Sequence, residues 1–265
     1  MVQTALRITV IALTTLLFSA CRRNPNDQPA TPAPAPTPRV SKMTFELNNT
    51  VFTWNADGTL NKATSRANTG GALQSELQYA WANGRISEVT GDNARFVFTY
   101  PSATTIRKDM RVAGGATLFS FDFVRENGRL REAIMYSHGA GGARTPENRA
   151  LYTYNQAGNI TRLEEFERNG ANWELLETVD FSQYDNRPNY TAAFEDGFAY
   201  LGPEAVLANN PGRLEYRSAS GTLFKTITYT YTYNNAGLKT RAVKNTVETG
   251  EPNRSETISY EYHTR

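Results

Sequence analysis

Cysteine occurs once in the 265 residues, at Cys21, directly behind an apolar run. Arg7 is followed by the mostly apolar residues 8–17 and then by Phe18-Ser19-Ala20-Cys21. A membrane-spanning helix needs about 20 apolar residues, so this run is too short to be one; it fits the core of a secretory signal ending in small residues. Ser19-Ala20-Cys21 resembles a lipobox, after which cleavage leaves the cysteine to be acylated, although Phe18 stands where that pattern usually has leucine. A lone thiol forms no intramolecular disulfide, and a lipid thioether accounts for its presence and for the lack of others. The expected chemistry at Cys21 is lipidation, with residues 1–20 removed and the membrane as partner. Arg22 is not the aspartate that retains many lipoproteins in the inner membrane, and no acidic cluster follows it. By that analogy the anchor belongs in the outer membrane, with the periplasmic face favoured over the cell surface.

The remaining reactive groups are sparse. His138 lies in Ser137-His138-Gly139-Ala140-Gly141-Gly142, and the other histidine is His263. Nucleophilic catalysis wants a nucleophile, a base and an orienting carboxylate in reach of one another. Ser137 is adjacent to His138, so on a strand the two point apart, and the glycines follow neither a P-loop nor a Rossmann pattern. A hairpin tip is the expected structure there. Glu164-Glu165-Phe166-Glu167 and Glu195-Asp196 are the acidic runs. Alternation puts Glu165 and Glu167 on one face and Glu164 with Phe166 on the other, which reads as a solvated strand. No calcium-loop spacing is present, so neither a metal nor a cofactor is expected. Trp54, Trp81 and Trp173 could stack on sugar rings, but tryptophan beside a turn more often fills a corner.

Charge excludes one class of partner. The chain has 28 Lys and Arg against 26 Asp and Glu; losing residues 1–20 removes only Arg7, leaving 27 against 26. There is no basic field for nucleic acid.

The elements that must carry these residues follow from spacing. Residues 21–42 hold six of the 12 prolines, between Pro25 and Pro38. Proline fixes φ and removes a donor, so this stretch is an extended tether, able to span roughly 60 Å at about 3.1 Å per residue. Beyond it, period-two alternation dominates. Ile227, Tyr229, Tyr231 and Tyr233 share one face, with threonines on the other; Phe119, Phe121 and Phe123 repeat the pattern, as do Phe96, Phe98 and Tyr100, and Ile258, Tyr260 and Tyr262. Such alternation marks strands with one packed face.

Several strands run into a recurring turn. Trp54-Asn55-Ala56-Asp57-Gly58-Thr59-Leu60, Tyr154-Asn155-Gln156-Ala157-Gly158-Asn159-Ile160 and Tyr233-Asn234-Asn235-Ala236-Gly237-Leu238 are the clear copies. Looser ones contain Asn83-Gly84-Arg85-Ile86 and Asn127-Gly128-Arg129-Leu130. Asparagine starts a turn through side-chain bonds to the backbone, and glycine supplies the positive φ that closes it. Asn55, Gly58, Gly84, Gly128, Asn155, Gly158, Asn234 and Gly237 are thus predicted as structural turn residues.

These motifs resemble those of the YD-repeat, or RHS-type, family, matched best at residues 152–160, 52–60 and 231–238. The likeness is greater still to small bacterial lipoproteins of unknown function with YD-like hairpins, which share the Tyr184-Asp185-Asn186-Arg187-Pro188-Asn189 segment. Large YD-repeat proteins form spiralling β shells; the copies here are too few and too irregular to enclose a protein.

Residues 185–213 break the alternation, with Pro188, Pro203 and Pro211. Residues 203–208 could form a short helix, and the whole segment is expected to plug the sheet at an open end or edge. Residues 43–265 are therefore expected to be one all-β domain: a curved antiparallel meander of β-hairpins, able to roll towards an open barrel, with one irregular segment packed on it. The expected role is non-enzymatic binding or scaffolding in the envelope, with an envelope protein or a glycan as partner. The rivals are a glycan-binding module using exposed aromatics, a barrel carrying an apolar ligand and a hydrolase with a carboxylate cleft.

Overall fold

The computed structural model describes residues 38–91, 94–112, 114–191 and 208–263. Cys21, Glu195, Asp196 and the candidate helix up to residue 207 lie outside them. The first eight strands are β1 (Val40–Thr44), β2 (Asn48–Trp54), β3 (Leu60–Ala67), β4 (Leu73–Ala82), β5 (Arg85–Thr90), β6 (Arg95–Thr99), β7 (Thr105–Arg111) and β8 (Thr117–Glu126). The rest are β9 (Arg129–His138), β10 (Arg144–Tyr154), β11 (Ile160–Asn169), β12 (Asn172–Ser182), β13 (Arg213–Ser218), β14 (Leu223–Tyr233), β15 (Lys239–Glu248) and β16 (Arg254–Tyr262). Among the described residues the only helical element is a 3₁₀ turn, Ala140–Gly142, at the tip joining β9 to β10.

Each strand pairs antiparallel with the next, and β1 pairs with β16, so the meander closes into a barrel. Closure is complete, beyond the open barrel expected, and removes both exposed edges that a curved sheet would leave. β1 opens at Val40, inside the stretch that reads as tether, because Val40 and Met43 both turn inward and are almost fully buried.

Alternation sorts the side chains as the tyrosine strand led one to expect. Ile227 is buried and Tyr229 stacks on Tyr231 at 5.8 Å, both facing inward. Phe98, Phe123, Ile258 and Tyr260 are buried on the same inner surface. Two apolar clusters line it, one around Ile86, Phe123 and Val179 and the other around Met43, Phe52 and Ile258; Tyr79 and Tyr229 touch both. Burying apolar surface at about 25 cal/mol per Å² is what stabilises this arrangement.

The three clear turns share one geometry. Gly58 N–H donates to Asn55 O at 3.0 Å, Gly158 to Asn155 at 3.1 Å and Gly237 to Asn234 at 2.9 Å, with φ of 94°, 89° and 76° at the glycines. The looser copies are a different turn. Asn83-Gly84 and Asn127-Gly128 have positive φ at both residues, the two-residue hairpin that matches strand twist. All these turns lie at one end of the barrel, where even-numbered strands finish and odd-numbered ones begin.

At that end, aromatic donors at the ends of several even strands bond the start of the odd strand before them. Trp54 Nε1 donates to Val40 O at 2.8 Å, Trp81 Nε1 to Leu60 O at 2.7 Å, Tyr100 OH to Ile86 O at 2.8 Å and Tyr154 OH to Leu130 O at 2.7 Å. Tyr184, just past β12, does the same to Ile160 O at 2.6 Å. Trp54 and Trp81 are thus corner fasteners, and Trp173 lies beside the Arg168 guanidinium at 5.3 Å.

Candidate functional site

The barrel's two ends differ. At the turn end, the described parts of the irregular segment cover the interior. Pro188 bridges Asn209, Asp185 N–H donates to Asn210 O at 3.1 Å, and Asn159 Nδ2 donates to Asn209 Oδ1 at 3.0 Å. Asn210 is fully buried and takes the Lys239 ammonium on its Oδ1 at 3.0 Å. Its Nδ2 donates to Asp185 Oδ2 at 3.1 Å, and the Tyr233 hydroxyl donates to the same carboxylate. Burial, and then Asp185, raise the Tyr233 phenol above its ordinary range. This polar seat is why a proline-rich segment stays on the barrel: buried polar groups are tolerated when each finds a partner.

Among the described residues the opposite end is open. A cleft of about 480 Å³ enters between β1, β2, β3 and β4, lined by Met43, Phe45, Phe52, Leu77 and Tyr79. A second space of about 370 Å³ lies against β14, β15 and β16, lined by Lys225, Lys244, Glu248 and Arg254. Glu46 and Glu256 border both; the first wall also carries Asn48, Thr50, Ser65 and Ser75, so the mouth has one mixed, partly apolar wall and one charged wall. The charged wall is held by loose ion pairs: Lys225–Glu248 at 3.9 Å, Lys244–Glu256 at 3.9 Å and Arg254–Glu248 at 3.6 Å. Leu47, Leu73, Leu118, Leu223 and Val247 are exposed around this rim.

Deeper on the charged side, Glu165 and Glu177 are directly opposed across β11 and β12. Burial raises both carboxyls; Glu177 pushes Glu165 up further, whereas Lys225 pulls Glu177 down. The phenol of Tyr216 next to them is pushed up to about 12, mainly by burial. Glu165 is therefore not on a solvated face. The alternation was right, but the face that carries it is the inside of a closed barrel.

Ser137 and His138 do point apart, to Glu147 and to Ser120. Ser120, fully buried on the outer wall, donates its only proton to Asp109 Oδ1 at 2.6 Å. With that proton committed, its oxygen is left to accept from His138 Nε2 at 2.6 Å. Among the described residues no group of three His, Cys, Asp or Glu side chains converges as a metal site would need.

Asn55, Gly58, Gly84, Gly128, Asn155, Gly158, Asn234 and Gly237 all sit in turns at the plugged end. Lys108, which faces inward, is not among the residues that the sequence singled out. The alternation Ile106-x-Lys108-x-Met110, beside Phe96 and Phe98, was the signal that it faces inward.

No protein-family model matches the chain, and no curated protein matches it. Solved structures do. A porin-like protein from Bacteroides uniformis superposes with a TM-score of 0.55 at 15% identity, over 84% of this chain and 96% of that one. A porin-like protein from Bacteroides vulgatus gives 0.53 at 12% identity, over 85% and 99%. A third, TcdB2-TccC3-Cdc42, reaches only 0.30 at 12% identity over 13% of its own length, too slight to bear on the YD-repeat resemblance. What the first two establish is the architecture: a closed antiparallel barrel of successive hairpins, similar to those of two porin-like proteins.

Proposed function

We propose that this is a lipid-tethered envelope protein whose barrel stands in water beside the membrane and binds a ligand through its open end, without catalysing a reaction. The polarity of the wall carries this reading. A barrel that crosses a membrane presents an apolar band about 25 Å tall to lipid and keeps its polar side chains inside. Here the apolar side chains face inward, and ion pairs ring the outside: Lys42–Glu261, Lys62–Glu76, Arg107–Asp122, Arg149–Glu132, Arg162–Asp180 and Arg217–Glu215. A charged side chain on a lipid-facing strand costs about 2–4 kcal/mol at mid-bilayer, and this wall carries a dozen. The word porin-like, applied to the two Bacteroides proteins, is thus not extended to a channel here. Membrane attachment falls to Cys21, and the open, partly apolar mouth is the face left for a partner.

The test is fractionation of the full chain and its Cys21→Ser variant. The wild type should sediment with membranes and carry acyl chains by mass spectrometry. The variant should be a folded β protein in the soluble periplasmic fraction without detergent. A Cys21→Ser protein that still needs detergent to stay in solution would mean the wall itself meets lipid.

A further inference from the structure

Two lysines are buried on the inner surface, and their surroundings differ. Lys239, 3% exposed, donates to Asn210 Oδ1. Lys108, 9% exposed, makes no hydrogen bond and no ion pair with any described residue. Its ammonium is surrounded by three phenylalanines, with ring centroids at 4.6 Å for Phe121, 5.5 Å for Phe123 and 5.7 Å for Phe96. The inward side chains of the adjoining strands, Phe96, Phe98, Phe121 and Phe123, bring no titratable group to it. The charged residues of those strands face out, Arg107 towards Asp122 and Asp109 towards Ser120. An ammonium taken from water without a counter-ion is strongly disfavoured, and phenylalanine faces offset only part of that. Burial accordingly lowers the Lys108 pKa to about 8, so at neutral pH the site still holds a positive charge that lacks an anion.

Towards the open end the same strands continue with Met110 opposite Phe119, and Phe119 is 36% exposed. Beside Phe121 is a space of about 150 Å³ bordered by Ala133, Met135 and Leu176 and also by Asn148, Arg149 and Glu165, the charged groups nearest to this part of the lumen. Phenylalanine rings pack around the ammonium, so a small, heavily hydrated anion would lose more than it gained there. We propose that Lys108 anchors a lumenal site for a monoanionic amphiphile, its charged head on the ammonium and its apolar body along Met110 and Phe119 towards the mouth. This rests on the reading that ligands enter by the open end.

The test uses two fluorescent probes of nearly one shape, anilinonaphthalene sulfonate and uncharged phenylnaphthylamine, on the otherwise complete Cys21→Ser chain so that no detergent competes. The sulfonate should bind at least tenfold more tightly than the amine. Lys108→Met should abolish that preference while leaving the amine's affinity unchanged, and Lys108→Arg should retain it. With the native lysine, sulfonate affinity should fall as pH rises from 8 to 10, whereas amine affinity should not. Sulfonate binding indifferent to both Lys108→Met and pH overturns the assignment, and the pH profile of the unsubstituted lysine decides the matter even where the methionine variant misfolds. Exclusion of both probes would refute lumenal binding altogether; amine binding with no preference for the sulfonate would refute only the role of Lys108.

Discussion

The Arg129 guanidinium lies 5.6 Å from the centroid of the Tyr154 ring, while the hydroxyl of that ring donates to the carbonyl of Leu130, the residue after the arginine. The same triangle recurs with Arg39, Trp54 and Val40, and with Arg85, Tyr100 and Ile86. An arginine that begins one hairpin arm covers the aromatic ring that bonds its neighbour's carbonyl, so adjacent hairpins are fastened at the corner as well as along the ladder. Tyr154→Phe removes the donor and keeps the ring. It should cost about 1 kcal/mol in urea denaturation, the net value of one hydrogen bond; an unchanged midpoint would reduce the fastener to packing alone.

The turn glycines fall into two groups. A Cβ at Gly58 would lie 2.0 Å from Arg39 Nη2, and one at Gly158 would lie 3.2 Å from Arg129 Nη2; at Gly84 it would meet nothing within 4 Å. All three have positive φ, a strain of about 1–2 kcal/mol for an L residue. Alanine should therefore destabilise most at Gly58, where the guanidinium must also leave the Trp54 ring, and least at Gly84. Equal losses of melting temperature at the two sites would show that φ alone sets the cost.

Glu165 and Glu177 make the barrel sensitive to pH. Their folded pKa values are raised, chiefly by burial, so the unfolded chain releases these protons first. The stability that their neutral forms contribute is complete below the unfolded carboxyl pKa, about 4.3, and is lost as pH rises through the folded values. Glu165→Gln should melt at a higher temperature than the wild type at pH 8 and at the same temperature near pH 4. A gap that widened on acidification would reverse the sign.

Lys108 titrates in the opposite sense. The drop from 10.5 to about 8 means that charged Lys108 costs the folded state roughly 3 kcal/mol at neutral pH, at about 1.4 kcal/mol per tenfold change. That cost is present in full below pH 8 and is relieved as pH rises towards 10.5. Lys108→Met, of similar length and no charge, should raise the melting temperature by several degrees at pH 7, with the gain shrinking above pH 9. Destabilisation at pH 7 would mean that the three rings hold the ammonium better than burial disfavours it.

Strands, turns and faces were legible in the sequence because their causes are local. Alternation at period two places Ile227, Tyr229 and Tyr231 on one face whatever the sheet does next, and Asn155 with Gly158 makes a turn within four residues. The residues 185–213 were recognisable as a break for the same reason, since proline acts on its own backbone. What tertiary structure alone decided is which surface that common face becomes. Closure depends on β1 meeting β16 across almost the whole folded chain, and no local pattern encodes a pairing so distant. Once the barrel closes, the face holding the tyrosines is an interior, and its charged members change character. Glu165 becomes a part-buried acid against Glu177, and Lys108 an ammonium among the phenylalanines of its two neighbouring strands, because closing the barrel takes their shared face out of water.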